Sequence, residues 1–463
     1  MKTQRHIDDI LDFASRTRWP DVPAQTRAHV KSLLLDSFTV LPAGYRAVGC
    51  HEILDLLGQW PAKRGASVLF NTLKLPPPTA AMANATLAEA WDFDDTHDAA
   101  IVHCMSPVLY AALAAAEWSA EPVDGPEFLS AVAVGLEVLA RLGMACTSPL
   151  TWTRTATLGG IGGALAAVRV SKGSRDALIN AAGIAYMQAA GNSQTIVDAA
   201  TAKKLQVGFA ARAAVLGTLL AGKGLTGPKD ILEGKYGYYE LYERGKHTLD
   251  AALEGLGDKW EVDNISVKPF PCARETHAPI FAALDALQGR RLKLQDIARV
   301  VVSGPGILRD ISGKGTAKGG AAAVVSAHLS IPYTVAVVLL EGDLTLLDFT
   351  EARVVQPERQ ELAAAVEVVA DAALAYNDLA PAQVSVTLRQ GAVLRGSCGK
   401  LAKGFESARD ASVMERKRRS CIGMSEHPRT AECLSAAAKL LDDAERQRDF
   451  ANALVETLAG AHS

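Results

Sequence analysis

Acidic and imidazole side chains are concentrated in residues 89–107, where four aspartates and two histidines fall within twelve positions. The six residues are Asp92, Asp94, Asp95, His97, Asp98 and His103. Such groups transfer protons, bind cations or pair with one another. The flanking segments, 79–91 and 107–118, are alanine-rich with helical spacing, and Ser106 before Pro107 is typical of a helix start. We therefore expect a charged bend between two apolar helices, either fully paired or chemically active.

Four further segments place cationic or hydroxyl side chains where helices are predicted to begin. They contribute Thr153 and Arg154, Lys203, Arg274 and His277, and Tyr333. The N-terminus of a helix carries partial positive charge and free N–H groups, so it attracts anions and favours a neutral histidine. Thr276 is predicted to cap the helix that begins at His277, and Arg274 offers a fork for a carboxylate. Together these groups fit a substrate with several carboxylates.

Composition and charge argue against several classes of protein. The 463 residues carry a net charge of −3, which gives no electrostatic basis for binding nucleic acid or an anionic membrane. Apolar runs are interrupted before they reach membrane-spanning length, and the N-terminus has no apolar signal core, so we expect a cytoplasmic protein. The seven cysteines are scattered and never spaced Cys-x-x-Cys, which argues against structural zinc or an iron–sulfur cluster.

Hydrophobic periodicity divides the chain into a long helical part and a shorter mixed part. Helical spacing recurs at 7–15, 23–43, 80–91, 107–117, 127–146, 159–170, 174–191 and 207–220. Beyond residue 265, strands are predicted at 297–303, 363–370 and 383–389, and helices at 278–288 and 334–341. The predicted fold is mostly α. Residues 1–266 and 405–463 would form a large all-helical domain, and residues 267–404 a smaller α+β lid domain inserted before the C-terminal helices.

Each of these features also has a purely structural interpretation. The charged bend could consist of helix caps and ion pairs, Lys203 could be solvated, and Tyr333 could be a packed core residue. The glycine run 159–163 lacks the strand and spacing of a dinucleotide-binding site, so it more simply allows close helix packing. The basic run 416–419 is predicted to be a solvated face of a helix, and 431–459 to be one amphipathic helix.

Several of these segments, taken in order, resemble the MmgE/PrpD family. The matching pieces are Asp92-Phe-Asp-Asp-Thr96 followed by His103, Lys203 before Leu-Gln-Val-Gly, Lys-Pro-Phe-Pro-Cys with Thr-His277, and Ser-Ile-Pro-Tyr333. The resemblance implies an all-helical domain with a smaller α+β lid, a homodimer, and no metal or organic cofactor. It also implies catalytic roles for Asp92, Thr96, His103, Lys203 and His277. Arg274, Tyr333, Thr153 and Arg154 are then the candidate substrate-binding residues.

Two positions depart from the pattern of the family. Many members carry Gly-Trp-His-Pro-Thr-Gly-Thr where this chain has residues 151–157, so the usual histidine is replaced by Thr153. Arg154 follows it and adds a potential ligand for a carboxylate. His103 is followed by Cys104 where proline is usual. A proton-transfer group is therefore missing at position 153.

The chemistry expected of such a family is removal of a proton next to a carboxylate, with cations stabilising the charge that develops. Loss of a hydroxyl gives dehydration, return of the proton gives epimerisation, and loss of carbon dioxide gives decarboxylation. We expect a 2-methylcitrate-type dehydratase. The alternatives are an epimerase or lyase of an amino- or imino-dicarboxylate, favoured by the change at Thr153, and a cis-aconitate-type decarboxylase.

Two rival functions come from other classes of protein. Asp94-Asp95-Thr-His-Asp98 matches the magnesium motif of helical terpenoid synthases, although no second metal motif accompanies it. A non-catalytic helical scaffold is the other rival. Under the enzyme hypothesis, His103 and His277 should border one cavity, and no transition metal is expected. Removing Lys203 or His277 should then impair turnover with little effect on folding.

Overall fold

The computed structural model describes residues 6–459. Its first part contains α1 (His6–Arg16), α2 (Ala24–Gly44), α3 (Cys50–Leu57), α4 (Pro77–Glu89), α5 (Met105–Trp118), α6 (Gly125–Met144), α7 (Arg154–Val170), α8 (Arg175–Tyr186), α9 (Gln194–Val197), α10 (Leu205–Gly222), α11 (Tyr238–Tyr242) and α12 (Leu249–Leu253). It continues with α13 (His277–Leu287), α14 (Gly306–Ser312), α15 (Gly320–His328), α16 (Ile331–Glu341), α17 (Glu351–Val354), α18 (Pro357–Ala364), α19 (Ala411–Met424), α20 (Thr430–Asp442) and α21 (Phe450–Ala459). The strands are β1 (Ala66–Ser67), β2 (Lys74–Leu75), β3 (Thr96–His97), β4 (Ile265–Ser266), β5 (Ile297–Gly304), β6 (Val366–Ala370), β7 (Ala382–Leu388) and β8 (Val393–Cys398).

The predicted mostly-α class is confirmed, and every helix predicted before residue 260 overlaps an observed one. The boundaries differ most, by five residues each, at the start of α7, which begins at Arg154 rather than at residue 159, and at the end of α8, which ends at Tyr186 rather than at residue 191. The single helix predicted over 431–459 is wrong, because the chain breaks between α20 and α21. Residues 443–449 in this break are charged or polar apart from Ala444, so the apolar spacing of a continuous amphipathic helix is lost there.

Helix α10 is the centre of the helical packing. It is apolar around its whole circumference and packs against α4, α5, α7 and α8. By length and composition, Thr201–Gly222 could also cross a membrane, and 56% of its apolar 18-residue stretch is buried inside the protein. Since four helices surround it, α10 serves here as a core helix, and the cavity described below lies at its N-terminal end.

The glycine run in α7 allows two helices to approach closely. A Cβ atom on Gly162 would lie 2.7 Å from the carbonyl oxygen of Gly135 in α6. A Cβ atom on Gly163 would lie 2.7 Å from the carbonyl oxygen of Pro107 in α5. Both distances are shorter than real carbon–oxygen contacts, so only glycine fits at either position. The prediction that this run serves helix packing is confirmed.

A four-stranded sheet occupies the middle of the second half, in the order β6-β5-β7-β8. Strands β5 and β6 are parallel, and the other two pairs are antiparallel. Alternate residues of β7 are buried, and α13 packs on β7 and β8. Strand β8 was not predicted, because Arg395, Gly396 and Ser397 interrupt its apolar pattern.

A short antiparallel pair, β3 with β4, joins two segments that are far apart in sequence. Thr96 pairs with Ser266, and His97 pairs with Ile265. The acidic bend after α4 is therefore fixed alongside the segment that leads into α13. This pairing brings most of the charged groups of the site together.

The last helices pack back onto the first ones, with α19 and α20 on α2 and α21 on α5. Lys417 of α19 lies 2.7 Å from the Asp36 carboxylate of α2, and its Nζ donates to the carbonyl oxygen of Phe93 at 2.7 Å. Both side chains are almost completely buried, at 0% and 1% exposure. The prediction that 416–419 forms a solvated face is therefore wrong at Lys417. This lysine instead anchors the acidic bend through its hydrogen bond to Phe93.

Replacing Lys417 by methionine should lower the free energy of unfolding by about 3–5 kcal/mol, because Asp36 is left buried without its cation. The double variant Asp36→Leu/Lys417→Met should regain most of that loss. Urea unfolding followed by circular dichroism measures both. Arg418→Met, on the exposed side of the same helix, is the control and should change the value by no more than about 1 kcal/mol. A Lys417→Met variant as stable as the parent would show that this pair contributes nothing.

Candidate active site

The start of α5 is held by a carboxylate from the acidic bend. Asp95 accepts hydrogen bonds from the backbone N–H groups of Cys104 (2.8 Å) and Met105 (3.0 Å). The predicted cap is wrong, because α5 begins at Met105 and the Ser106 hydroxyl has no partner among the described residues. Burial, with the Asp94 carboxylate beside it, raises the pKa of Asp95 to about 7. Asp95 therefore has a structural role.

His103 lies just before α5 and is fixed by three contacts. Its Nδ1 is 2.8 Å from the backbone carbonyl oxygen of Asp95 and 3.2 Å from Asp94 Oδ1, so this nitrogen carries a proton. Its backbone N–H donates to Thr155 Oγ1 at 2.9 Å. Burial alone would lower the pKa of His103, but the Asp94 carboxylate outweighs burial and raises that pKa. The other ring nitrogen, Nε2, is left to exchange a proton with a ligand.

Lys203 pairs with two carboxylates at the end of α4. Its Nζ is 2.7 Å from Glu89 Oε1 and 2.7 Å from Asp92 Oδ1. Asp92 has φ +51°, a left-handed conformation that turns the chain out of the helix. Burial would raise the pKa of Asp92, but Lys203 and Lys268 lower it below its usual value. Burial prevails at Glu89 and raises its pKa, so of the two carboxyl groups Glu89 is the one that more readily takes up a proton.

This pairing changes the role expected of Lys203. The sequence predicts a cation that is free to bind an anion at the start of α10. Instead, the carboxylates of the protein already neutralise it, and only 16% of its side chain is exposed. Burial would lower its pKa, but those two carboxylates raise it, so Lys203 stays protonated and cannot be the base. The structure does not support the expectation that its removal leaves folding intact.

Lys268 is a second buried cation, and sequence analysis did not select it. Its Nζ donates to the carbonyl oxygen of Asp92 at 3.0 Å and lies 3.7 Å from Asp94 Oδ1. The β3–β4 pairing makes this contact possible, because it sets the two segments side by side. Lys268 is only 1% exposed, so it is a fixed positive charge behind the acidic bend. Its place in the Lys-Pro-Phe-Pro-Cys motif was the only signal in the sequence.

These groups border one cavity of about 120 Å³. The predicted site residues in its lining are Asp92, Thr96, His103, Thr153, Arg154, Lys203 and Arg274. Glu89, Lys268, Gln206 and Glu275, which were not predicted, also line it. The carboxylate of Glu275 has no cation within ion-pair distance among residues 6–459, and burial raises its pKa. Proton-transfer groups and fixed cations thus border one cavity, an arrangement that suits catalysis on a small anion.

Two predicted site residues lie outside the cavity lining. His277 is completely buried, with Nε2 3.3 Å from the carbonyl oxygen of Cys272 and Nδ1 3.4 Å from Arg274 Nη1. His103 and His277 therefore do not border the same cavity. Thr276 does not cap α13, since its hydroxyl donates to the carbonyl oxygen of Ala273. Burial and the charge of Arg274 lower the pKa of His277 well below its usual value, so the ring is neutral but has no access to a ligand there.

Tyr333 is a core residue and does not line the cavity. Its backbone N–H donates to Ser330 Oγ, which caps α16, and its side chain is fully buried. The phenol donates to the carbonyl oxygen of Asp348 and lies 3.4 Å from Arg359 Nη1. The prediction that Tyr333 binds substrate is corrected, because these partners hold the hydroxyl inside the packing of α16 and α18.

Both arginines in the cavity lining are largely occupied by protein groups. Arg274 forms a bidentate ion pair with both oxygens of Asp98, at 3.0 and 3.1 Å, so its guanidinium is already bound to a carboxylate. Arg154 donates to the carbonyl oxygens of Ala100 (3.3 Å) and Ser148 (3.0 Å). Neither guanidinium is free to clamp a substrate as the sequence predicts. They shape the wall of the cavity and contribute positive charge to it.

The aspartates of the Asp94-Asp95-Thr-His-Asp98 motif contact separate partners. Asp94 faces His103 and Lys268, Asp95 caps α5, and Asp98 pairs with Arg274. Within residues 6–459, no group of three or more His, Cys, Asp or Glu side chains is arranged to hold a metal ion. The motif therefore lacks the adjacent free carboxylates on which the magnesium hypothesis depends.

Comparison with known proteins gives the class to which this fold and cavity belong. The family model of the MmgE/PrpD N-terminal domain matches residues 8–249, and that of the C-terminal domain matches residues 270–443. The chain therefore belongs to the MmgE/PrpD family, which confirms the resemblance found in the sequence.

Three similar proteins each bear the name cis-aconitate decarboxylase. One from Aspergillus terreus is 31% identical over 305 residues, which are 63% of this chain and 62% of that protein. Another, from A. terreus strain NIH 2624, is 29% identical over 74% of this chain and 73% of its own length. The third, from Homo sapiens, is 27% identical over 81% and 78%, respectively. The match thus spans less than two thirds of the first relative.

Proposed function

We propose that this protein is a lyase that acts on a small tricarboxylate by transferring a proton at or beside a carbon that bears a carboxylate. The arrangement of His103 is the observation that carries the proposal. Its Nδ1 is anchored, Asp94 raises its pKa, and its ring borders a cavity that also contains buried cations. The related proteins named cis-aconitate decarboxylase support the same class of reaction.

In this mechanism, the imidazolium of His103 is the proton donor. During decarboxylation, the bond to the departing carboxylate breaks and its electrons shift through the neighbouring double bond. Nε2–H of His103 then protonates the carbon that receives them, so one donor suffices. Lys268 and Lys203 stabilise the negative charge that builds up on the remaining carboxylates.

In dehydration, His103 would again be the proton donor, but it would protonate oxygen rather than carbon. A base takes the proton from carbon, the carbon–oxygen bond breaks, and His103 protonates the departing hydroxyl. Glu275 is the candidate base, because its carboxylate lines the cavity without a cation partner among the described residues. Neither branch assigns a step to a metal or an organic cofactor. The related proteins bear the name of a decarboxylase, so they do not favour the epimerase alternative.

In the proposed domain arrangement, this cavity lies between the helical domain and the lid domain. Its lining includes Lys268, Ala273, Arg274 and Glu275 from the proposed lid (267–404), while most other lining residues belong to the helical part. Closure of the lid would then exclude water from the reaction. Assembly as a homodimer and a cytoplasmic location remain predictions.

A screen of tricarboxylates in deuterated water, followed by proton NMR, tests the proposed function. We expect loss of carbon dioxide or water from at least one member of a panel containing cis-aconitate, citrate and 2-methylcitrate. Loss of carbon dioxide should place deuterium at the carbon that receives the proton, whereas loss of water removes a proton from carbon and adds none. Protein treated with a chelator should react at the same rate. Absence of turnover of every tricarboxylate, with turnover of an amino- or imino-dicarboxylate, would transfer the proposal to the epimerase alternative.

Turnover should depend on pH in a direction set by His103. Because only the imidazolium donates, kcat should fall as the pH rises through the raised pKa of His103. At low pH, kcat should be constant for decarboxylation, whereas for dehydration it should also fall once the base is protonated. Asp94→Asn removes the carboxylate that raises this pKa, so the fall in kcat should move to lower pH. Profiles of kcat against pH for both proteins measure the shift.

Glu261→Gln is a matched control for this experiment. Glu261 lies 3.3 Å from His97, another histidine–carboxylate pair, but neither residue lines the cavity. This variant should leave the profile unchanged. An unmoved profile in Asp94→Asn, or a shift to higher pH, would show that His103 is not the donor.

A further inference from the structure

One wall of the cavity carries a hydrogen-bond acceptor that no described residue satisfies. Gln206, in the first turn of α10, is 8% exposed, and its buried Oε1 accepts no hydrogen bond. Its Nε2 donates to Thr195 Oγ1 at 2.8 Å, and that hydroxyl donates to the carbonyl oxygen of Asn192 at 3.1 Å. Because Thr195 uses its own proton on Asn192, it must accept from the amide nitrogen. The amide oxygen is therefore the atom left for a ligand.

Thr153 supplies a second unsatisfied group in the lining of the same cavity. Its Oγ1 is buried without a partner among residues 6–459, and its backbone N–H donates to the carbonyl oxygen of Gly191 at 3.3 Å. Gly191 has φ +123°, and a Cβ atom there would lie 2.6 Å from Gln206 Oε1. Glycine thus leaves room around the amide oxygen, and both unsatisfied groups adjoin the same residue. Together they offer one acceptor and one hydroxyl that can both donate and accept.

We propose that Gln206 and Thr153 bind a hydroxyl substituent of the substrate. A hydroxyl can donate to Gln206 Oε1 while it accepts from the Thr153 hydroxyl, so it satisfies both. A carboxylate has no proton to donate to the amide oxygen. An alkene carbon can neither donate a hydrogen bond to Gln206 nor accept one from Thr153. This inference rests on the proposed function and narrows it to a hydroxy-tricarboxylate, which loses water. Buried groups left unpaired penalise an analogue that lacks the hydroxyl.

Citrate and tricarballylate form a suitable pair of probes, because they differ only in the hydroxyl. Isothermal titration calorimetry should show citrate binding at least about tenfold more tightly to the parent protein. Gln206→Leu and Thr153→Val should each weaken citrate binding about tenfold or more, and should leave tricarballylate within about twofold. Thr153→Ser keeps the hydroxyl and should retain the preference. Thr218→Val alters a buried threonine of α10 outside the cavity lining and should change neither affinity.

The outcomes separate this inference from the proposed function. Equal affinity of the parent for citrate and tricarballylate would overturn the hydroxyl site and leave tricarboxylate binding intact. A preference for citrate that persists in both Gln206→Leu and Thr153→Val would also overturn it. No binding of either compound, together with no turnover in the NMR screen, would instead reject the proposed function. The comparison in the parent protein needs no variant, so a variant that misfolds does not block the test.

Discussion

Replacing His103 by glutamine should lower kcat by at least about a hundredfold and leave the fold intact. Glutamine can still donate a hydrogen bond to the carbonyl oxygen of Asp95, but it has no proton to transfer at neutral pH. Loss of a positioned general acid typically costs a factor of 10²–10⁴. The loss should appear in kcat rather than in KM, because His103 acts on the reacting atoms. Rate measurements on the substrate found in the screen, with circular dichroism, check both parts.

A second histidine provides the control for this experiment. His51 is 62% exposed and lies 3.5 Å from Glu426, away from the cavity. His51→Gln should therefore have the kcat of the parent. If His103→Gln also kept kcat within about fivefold of the parent, the imidazolium would not be the proton donor and the proposed mechanism would fail.

Lys203→Met should reduce both turnover and stability. The substitution leaves Glu89 and Asp92 in the protein interior without the cation that pairs with both. Breaking a buried ion pair from one side costs about 3–5 kcal/mol, and the loss of the charge should lower kcat at least about a hundredfold. Lys203→Arg keeps the charge and should retain most of the stability. Urea unfolding and steady-state rates measure the two effects separately.

The stability of Lys203→Met should change with pH in a direction that the buried carboxyl groups determine. Without Lys203, burial raises the pKa of Glu89 still further above its value in the unfolded chain, and the pKa of Asp92 also rises because only Lys268 is left to oppose burial. The folded state then binds protons more tightly, so the variant should regain stability as the pH falls and lose it as the pH rises. Adding Glu89→Gln removes one of the two carboxylates and should recover part of the loss. Lys223→Met, at the exposed end of α10, is the control and should match the parent; equal stability of Lys203→Met and Lys223→Met would contradict the pairing.

The helices could be predicted because burial imposes a periodic apolar pattern on each of them. Boundaries were less accurate where a distant group decides them. The start of α5 depends on Asp95, ten residues before Met105, rather than on the local Ser106. Likewise, charged Lys417 looks like a surface residue in the sequence, because its partner Asp36 lies on another helix.

The site could be predicted in part, because its residue types cluster in short segments. Pairings between segments could not be read from the sequence. Arg274 and Asp98 were selected separately, and only the structure shows that they pair with each other across 176 positions. Gln206 belonged to a quoted motif, but nothing in the sequence shows that its amide oxygen lacks a partner. The burial of His277 depends on how α13 packs, which no local pattern determines.

The acidic bend is synthesised before every lysine that neutralises buried carboxylates in and around it. Asp92 and Asp94 leave the ribosome ahead of Lys203 and Lys268, and Lys417 follows much later. Until α19 docks, Asp36 lacks its cation and the carbonyl oxygen of Phe93 lacks its donor. Closing such long-range contacts is slow, even in a chain built mainly from helices. Catalytic competence should therefore emerge late in folding, only after the C-terminal helices have reached the first ones.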